Sequence, residues 1–403
     1  MSTLVPIKPA VISWALHQAD VSPTDLKQSE KVEKWLDGSA QPTFNQLQDF
    51  ARAIHLPFGY LMMSEPPVLE KPIPDFRIRK NNSTRYSQEL TEAINLQQLR
   101  QDWFRDYAID QGFDHVSWVE SATLQEDPSE VAAKLRIEWN FSTLENAQPY
   151  EDSRREIFNF VEDLDVLISV AGYIGSNRRG FDVEEFSGFS LFDHYAPLIF
   201  VNGKESHAAQ IFTIFHELGH LVLGQSGVSE PSIEQVVSHS ESTSEQWCDE
   251  FAASFLMPAP EVRSMFEGDL SENSILRLAR RFRVSALSFL NRLRDLNLIT
   301  FKEWETVYPE FERRALEILQ KKAEQKSPSE DFYRTQRFIT GVLFAQAVYR
   351  DARNGRTSYP EAQKLVGLKK TATFEKFTQE GEHNSYVETY KGSYTSSIHR
   401  HDK

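Results

Sequence analysis

The stretch IFTIFHELGHLVLG, residues 211–224, sets His216, Glu217 and His220 inside an otherwise apolar run. Burying a carboxylate and two imidazoles is costly unless each is compensated. Residues four apart share one face of a helix, so His216 and His220 present their rings to a common point. Glu217, about 100° further round, is poorly placed to ligate at that point. It can instead reach a water on a metal held there. H-E-x-x-H on a helix is therefore a pattern for two metal ligands and a general base. The helix itself is expected because AAQIFTIFHELGHLVLG is apolar at helical spacing and stops at Gly224.

A third ligand is needed, and the H-x-x-G-x-x-H extension is excluded, because Leu223 and Ser226 occupy its glycine and histidine positions. The next acidic candidate lies in SEQWCDEFAASFLMP, residues 244–258, which reads as a second apolar helix. Its core side carries Trp247, Cys248, Phe251, Ala252, Phe255 and Leu256. Two readings of Glu245 stand side by side. Ser242 followed by Glu245 has capping-box spacing, which makes Glu245 a helix-start residue. Alternatively Glu245 is the third ligand, and Asp249, one turn on, accepts a hydrogen bond from a ligand histidine's other N–H. Glu-x-x-x-Asp after H-E-x-x-H is the gluzincin pattern, so Zn2+ is the expected cofactor and Glu217 the catalytic base. Two histidines and one carboxylate leave a zinc position open for water. Tyr195, His194, Arg178 and His239 are conceivable donors to a tetrahedral oxyanion, and nothing in the spacing selects one. APLIFVN, residues 196–202, suits an edge strand along which an extended peptide could lie.

The elements around this pair of helices point to an α+β fold, mainly helical, with a small-sheet, zincin-like peptidase core. Residues 1–66 read as a helical domain, and 67–145 as a proline-rich linker (four prolines between 64 and 77) followed by a helical connector. The peptidase core spans 146–262, with strand-like runs VLISVAGYIG, EFSGFSLFDH and APLIFVNG. A helical region follows over 263–371. The polar stretch 372–403 has no apolar period and is expected to be a mobile tail. Within 275–299, ILRLARRFRVSALSFLNRLRDLNLI carries six arginines between 277 and 294 and reads as two helices around RVS. Arg280, Arg281 and Arg283 are its candidate nucleic-acid contacts, against a plain solvated arginine face.

Charge and composition set outer limits. With 403 residues and 40% hydrophobic content the chain can bury a sizeable core in two to three domains. A formal net charge of −15 argues against a protein that wraps nucleic acid over its whole surface. The single cysteine, Cys248, excludes an internal disulfide framework and fits a reducing compartment. The N-terminus lacks a signal-peptide pattern, and no run approaches the ~18 apolar residues of a membrane span. A soluble cytoplasmic protein without membrane contact is expected.

Three strings together, EEFSGFSLFDHYAPLIFVN, IFTIFHELGHLVLGQSG and EQWCDEFAASFLMP, resemble the ImmA/IrrE family of zinc metallopeptidases. VEKWLDGSAQPTFNQLQDFARAI resembles the end of an XRE/Cro-type helix-turn-helix domain, and the larger members of the family fuse such a domain to the peptidase. Between SPTDL and SEKVEKW, however, the second helix and turn are too short for a full DNA reader. Residues 1–65 also carry five Lys/Arg against seven Asp/Glu. The resemblance implies a regulatory zinc endopeptidase of narrow specificity, cutting a partner regulator or a toxin–antitoxin or mobile-element protein encoded nearby. The alternative is a DNA- or partner-binding regulator, antitoxin-like, whose zinc site is structural or weakly active. Glu217 favours the enzyme, since a structural site has no use for it. DNA and a second copy of the chain in a homodimer stay open as further partners.

Overall fold

The structure, a computed structural model, describes residues 4–19, 21–54, 58–66, 86–142, 150–175, 179–229, 243–324 and 332–382. The chain divides into two compact units; the described residues of the first fall within 4–66 and 86–94. It holds α1 (Pro9–Ala19), a single 3-10 turn (Pro23–Asp25), α2 (Ser29–Leu36), α3 (Phe44–Ala53) and the short α4 (Phe58–Leu61). Thr43 and Gln46 form a reciprocal capping box that starts α3, with Thr43 N donating to Gln46 Oε1 at 2.8 Å and Gln46 N to Thr43 Oγ1 at 3.3 Å. Val11, Ile12, Val32, Trp35, Leu47 and Phe50 form its core. Among the described residues, only the turn Pro23–Asp25 stands between α1 and α2. The exposed residues of α2 are two glutamates and two lysines, Glu30, Lys31, Glu33 and Lys34, so the helix offers no excess positive charge.

The second unit takes in α5 (Gln88–Asp110) from residue 95 onward, then α6 (Pro128–Glu138) and α7 (Tyr150–Glu162). Strands β1 (Leu167–Ala171), β2 (Gly188–Leu191) and β3 (Leu198–Asn202) follow, then α8 (His207–Val222), the two-residue β4 (Gly227–Val228) and α9 (Thr243–Leu256). The sheet order is β1-β3-β2-β4, with β1 parallel to β3, and β2 antiparallel to both β3 and β4. This corrects the expected role of 196–202. Strand β3 is bonded on both sides, to β1 and to β2, so it offers no edge to a peptide. The apolar run LIFVN is what an interior strand needs, and its five residues are all buried.

Helices α8 and α9 lie against each other, and α8 covers the β2–β3 face. Phe215 of α8 stacks on Phe255 of α9 with ring centroids 4.7 Å apart. All six residues expected on the core side of α9 are buried. The remaining helices are α10 (Ala259–Met265), α11 (Glu272–Arg281), α12 (Ala286–Asp295), α13 (Phe301–Glu324), α14 (Phe332–Thr340), α15 (Val342–Arg353), α16 (Tyr359–Val366) and α17 (Thr371–Glu382). The fold is thus mainly helical with one small mixed sheet. No helix of the described residues is long and apolar enough to cross a membrane.

The last four helices are tied to the sheet. Leu167 N donates to Pro197 O, towards β3, so the next residue's carbonyl, Ile168 O, points to the free side of β1. There the α14–α15 junction closes in: a Cβ on Gly341 would lie 2.7 Å from Ile168 O, and Ser169 Oγ donates to Ile339 O at 2.7 Å. Glu162, at the end of α7, accepts the first two amides of α15, from Val342 N at 2.6 Å and Leu343 N at 2.9 Å. Buried Arg100 of α5 donates to Ile339 O and Leu365 O, carbonyls in the last turns of α14 and α16. Two negative helix ends thereby share one guanidinium. The start of the expected tail is also corrected. Residues 371–382 form α17, whose Phe374 and Phe377 are buried, while 383–403 lie outside the described residues. Two phenylalanines three apart suffice to dock a helix turn, which a search for a long apolar period overlooks.

Candidate metal centre

Helix α8 begins at Ser206, whose side chain accepts a hydrogen bond from Ala209 N at 3.2 Å. Fourteen of its residues are buried, so the helix runs through the interior and carries His216, Glu217 and His220 with it. Two glycines allow its neighbours to come close enough. A Cβ on Gly219 would stand 3.2 Å from Cα, Cβ and Sγ of Cys248, so the missing side chain sets the α8–α9 spacing. A Cβ on Gly188 would stand 2.7 Å from both Phe200 O and Thr213 Cγ2, and 3.0 Å from Glu217 Oε1. Only glycine leaves room there for the glutamate between helix and sheet.

On this scaffold three donors converge. His220 Nε2 lies 2.9 Å from Glu245 Oε1, His216 Nε2 lies 3.3 Å from Glu245 Oε2, and the two Nε2 atoms are 3.2 Å apart. Donors held at zinc distances in a tetrahedron are about 3.3 Å from one another. The observed separations fit that figure closely, so the residues present suit a zinc ion. His216, His220 and Glu245 are the group among the described residues whose ligand atoms all lie within 4.8 Å of one another. Asp249 Oδ1 sits 2.8 Å from His216 Nδ1, on the far side of the ring from the convergence point. Such a carboxylate fixes the ring and leaves Nε2 as the ligand atom. The carboxylate of Glu245 engages the imidazoles, as the ligand reading of that residue requires, while Ser242 lies outside the described residues.

Electrostatics follow from burial and these pairs. Burial alone would raise Glu245 and depress His216. The imidazoles win at Glu245, holding it down at about 2, and Glu245 with Asp249 wins at His216, raising it well above its ordinary value. Glu217 differs from its neighbours. It is fully buried, neither of its carboxylate oxygens makes a hydrogen bond of standard geometry, and burial pushes its pKa up against the pull of His220, His216 and the nearby Ser229 hydroxyl. Burial also pushes the Cys248 thiol well up, and its side chain packs on Gly219 rather than joining the donors.

The other expected site residues fare differently. Arg280 is exposed and Arg281 half-buried, but Arg283 is buried and pairs with Glu156 at 3.0 Å. Arg283 is therefore a brace between α7 and the α11–α12 turn, and the expectation that it contacts nucleic acid is corrected. Arg292 is buried too, its guanidinium holding Glu250, Ser254 and Met257 O of the α9 segment. His194 lies beside Glu120 at 3.3 Å, and Tyr195 packs edge-on to His115. Arg178 and His239 lie outside the described residues. Sequence reading missed Gly188, Gly219 and Ser229. A lone glycine inside the strand pattern FSGFSLF was the available signal for the first.

An open set of three N and O donors with a buried carboxylate beside it has the layout of a catalytic metal centre in a hydrolase. In keeping with this, residues 177–294 match the model of the IrrE N-terminal-like domain, the Peptidase_M78 family. That segment covers less than half of the chain and supports the ImmA/IrrE resemblance and a metallopeptidase class. Residues 340–380 match a domain of unknown function, DUF8813, which corresponds to α15 and α16 with most of α17. A comparison with curated proteins gives no match.

Proposed function

We propose that the chain is a regulatory zinc-dependent endopeptidase of narrow specificity that cleaves a partner regulator, such as a toxin–antitoxin or mobile-element protein. The observation that carries this reading is Glu217: a fully buried carboxylate without a hydrogen bond of standard geometry, one residue from His216. A core does not keep such a group for stability. In this reading His216, His220 and Glu245 hold the zinc, and Asp249 orients His216. When bound, the zinc supplies Lewis acidity and brings the pKa of a water towards ~7. Glu217 takes the proton from the attacking water and passes it to the leaving amine. The dry walls of the site strengthen each of these interactions.

Wild type and Glu217→Gln, each loaded with zinc, are to be incubated with the products of neighbouring genes and the digests followed by mass spectrometry. Equal zinc content, with cleavage by wild type and a loss of at least ~100-fold in the variant, is the expected result. Cleavage that survives in Glu217→Gln overturns the mechanism. The competing regulator reading draws on the arginines of 275–299 and on the first unit, but Arg283 is buried and the exposed residues of α2 are charge-balanced. That face favours protein docking over a phosphate backbone.

A further inference from the structure

The Glu217 carboxylate has a neighbour that no motif points to. Ser229, the residue after β4, is 1% exposed, and its hydroxyl makes no hydrogen bond of standard geometry. Its backbone is pinned to β2 on both sides: Ser229 N donates to Gly188 O at 3.0 Å, and Ser187 N donates to Ser229 O at 3.4 Å. Gly188 is also where Glu217 arrives, since a Cβ there would meet Glu217 Oε1 at 3.0 Å. Two buried polar groups, neither making a hydrogen bond of standard geometry, thus flank the same side-chain-free residue. A buried hydroxyl beside a buried carboxylate is a donor waiting for an acceptor, and a hydroxyl proton rotates freely to meet one.

We propose that Ser229 is a positioning residue for Glu217, its hydroxyl donating to one carboxylate oxygen so that the other is turned towards the metal centre. This rests on Glu217 being the base of the proposed reaction. The physical need is clear. A carboxylate on three rotatable bonds with no anchor would sample several poses, and a proton acceptor must be held within a few tenths of an ångström of its target. Charge-assisted O–H···O bonds are among the strongest available to a buried anion. The other buried hydroxyl without a partner nearby is Ser190, which shares the Gly188 face of β2 two residues along. It is paired on both sides, to Ile199 and Gly227, and lies beyond Gly188 along the strand, so it serves as the rival donor in the test.

The test is a double-mutant cycle in the zinc-free protein, stripped with chelator and unfolded in urea, using Ser229→Ala, Glu217→Leu and the pair. Ser229→Ala is expected to lower the folding constant at least threefold more with Glu217 in place than with leucine there. Ser229→Thr, which keeps the hydroxyl, should restore most of that difference. Glu217→Gln serves as a second partner variant should leucine not fold, with the coupling expected to shrink rather than vanish. Zinc affinity, measured by competition with a chromogenic chelator, should be unchanged in Ser229→Ala. Additive effects of Ser229→Ala and Glu217→Leu overturn the proposal, as does coupling that appears with Ser190→Ala instead. Because neither metal nor substrate enters the cycle, a failure here is separate from a failure of the peptidase reading.

Discussion

Ligand and orienting carboxylate should separate cleanly at the level of single side chains. Glu245 approaches both imidazoles at Nε2, whereas Asp249 approaches His216 at Nδ1. Glu245→Ala is expected to abolish stoichiometric zinc binding. Asp249→Ala should retain zinc with an affinity lower by about 10–100-fold. Elemental analysis after gel filtration, followed by chelator competition, reads both. The residues of this centre were legible in the sequence because their spacing is local: four positions on one helix for the imidazoles, four on the next for the two carboxylates. The arginines were not. The partner of Arg283 is 127 residues away, and the partners of Arg292 are 35 to 42 residues away, so a basic string reads as a surface until the packing is known.

Between helices and strands, two missing side chains set the distances. Gly219→Ala would press a methyl group against Cys248, whose own contact is backbone as well as side chain. We expect a destabilisation of about 1–3 kcal/mol, the usual range for overpacking a filled core, measured by chemical denaturation. Zinc affinity should fall with it, since α8 and α9 supply different ligands. Gly188→Ala meets the Phe200 carbonyl and Glu217 Oε1 together and should cost at least as much. The helices of this region were predictable from their apolar period, and the three main strands from their short runs. Sheet order was not, because β3 becomes interior only through pairing with β1 and β2, and β4 is two residues long. A pairing between segments distant in sequence leaves no periodic trace in either.

For the whole molecule, the C-terminal helices are fastened by a buried carboxylate whose titration is exposed to experiment. Burial raises Glu162 from an ordinary 4.5 to about 7, against the pull of the two α15 amides. The native state therefore holds a proton that the unfolded chain releases. Its contribution to stability is full below about 4.5 and is lost as pH climbs to 7. Wild type should lose stability relative to Glu162→Gln between those limits, as read from urea midpoints at pH 5 and pH 8. A midpoint difference that does not change with pH would exclude this account. Arg100 is the matching cation, lowered to about 10 by burial and so still charged at neutral pH. Arg100→Ala should lower the thermal midpoint and speed proteolysis within 332–382 before any cut near the zinc helix.

The fastening of β1 has a consequence for how the chain is made. Glu162 waits for Val342, 180 residues later, and Arg100 for carbonyls 239 and 265 residues later. At ~5–20 residues per second of synthesis, the first of these gaps lasts roughly 10–40 s. In the second half of that interval every residue of the metal centre has already been synthesised, while one side of the sheet is still bare. A ribosome stalled near residue 330 would carry a nascent chain complete in its chemistry but with an open strand to offer its neighbours. Abundance in the cell is therefore expected to respond to translation pauses late in the message, downstream of every candidate metal ligand.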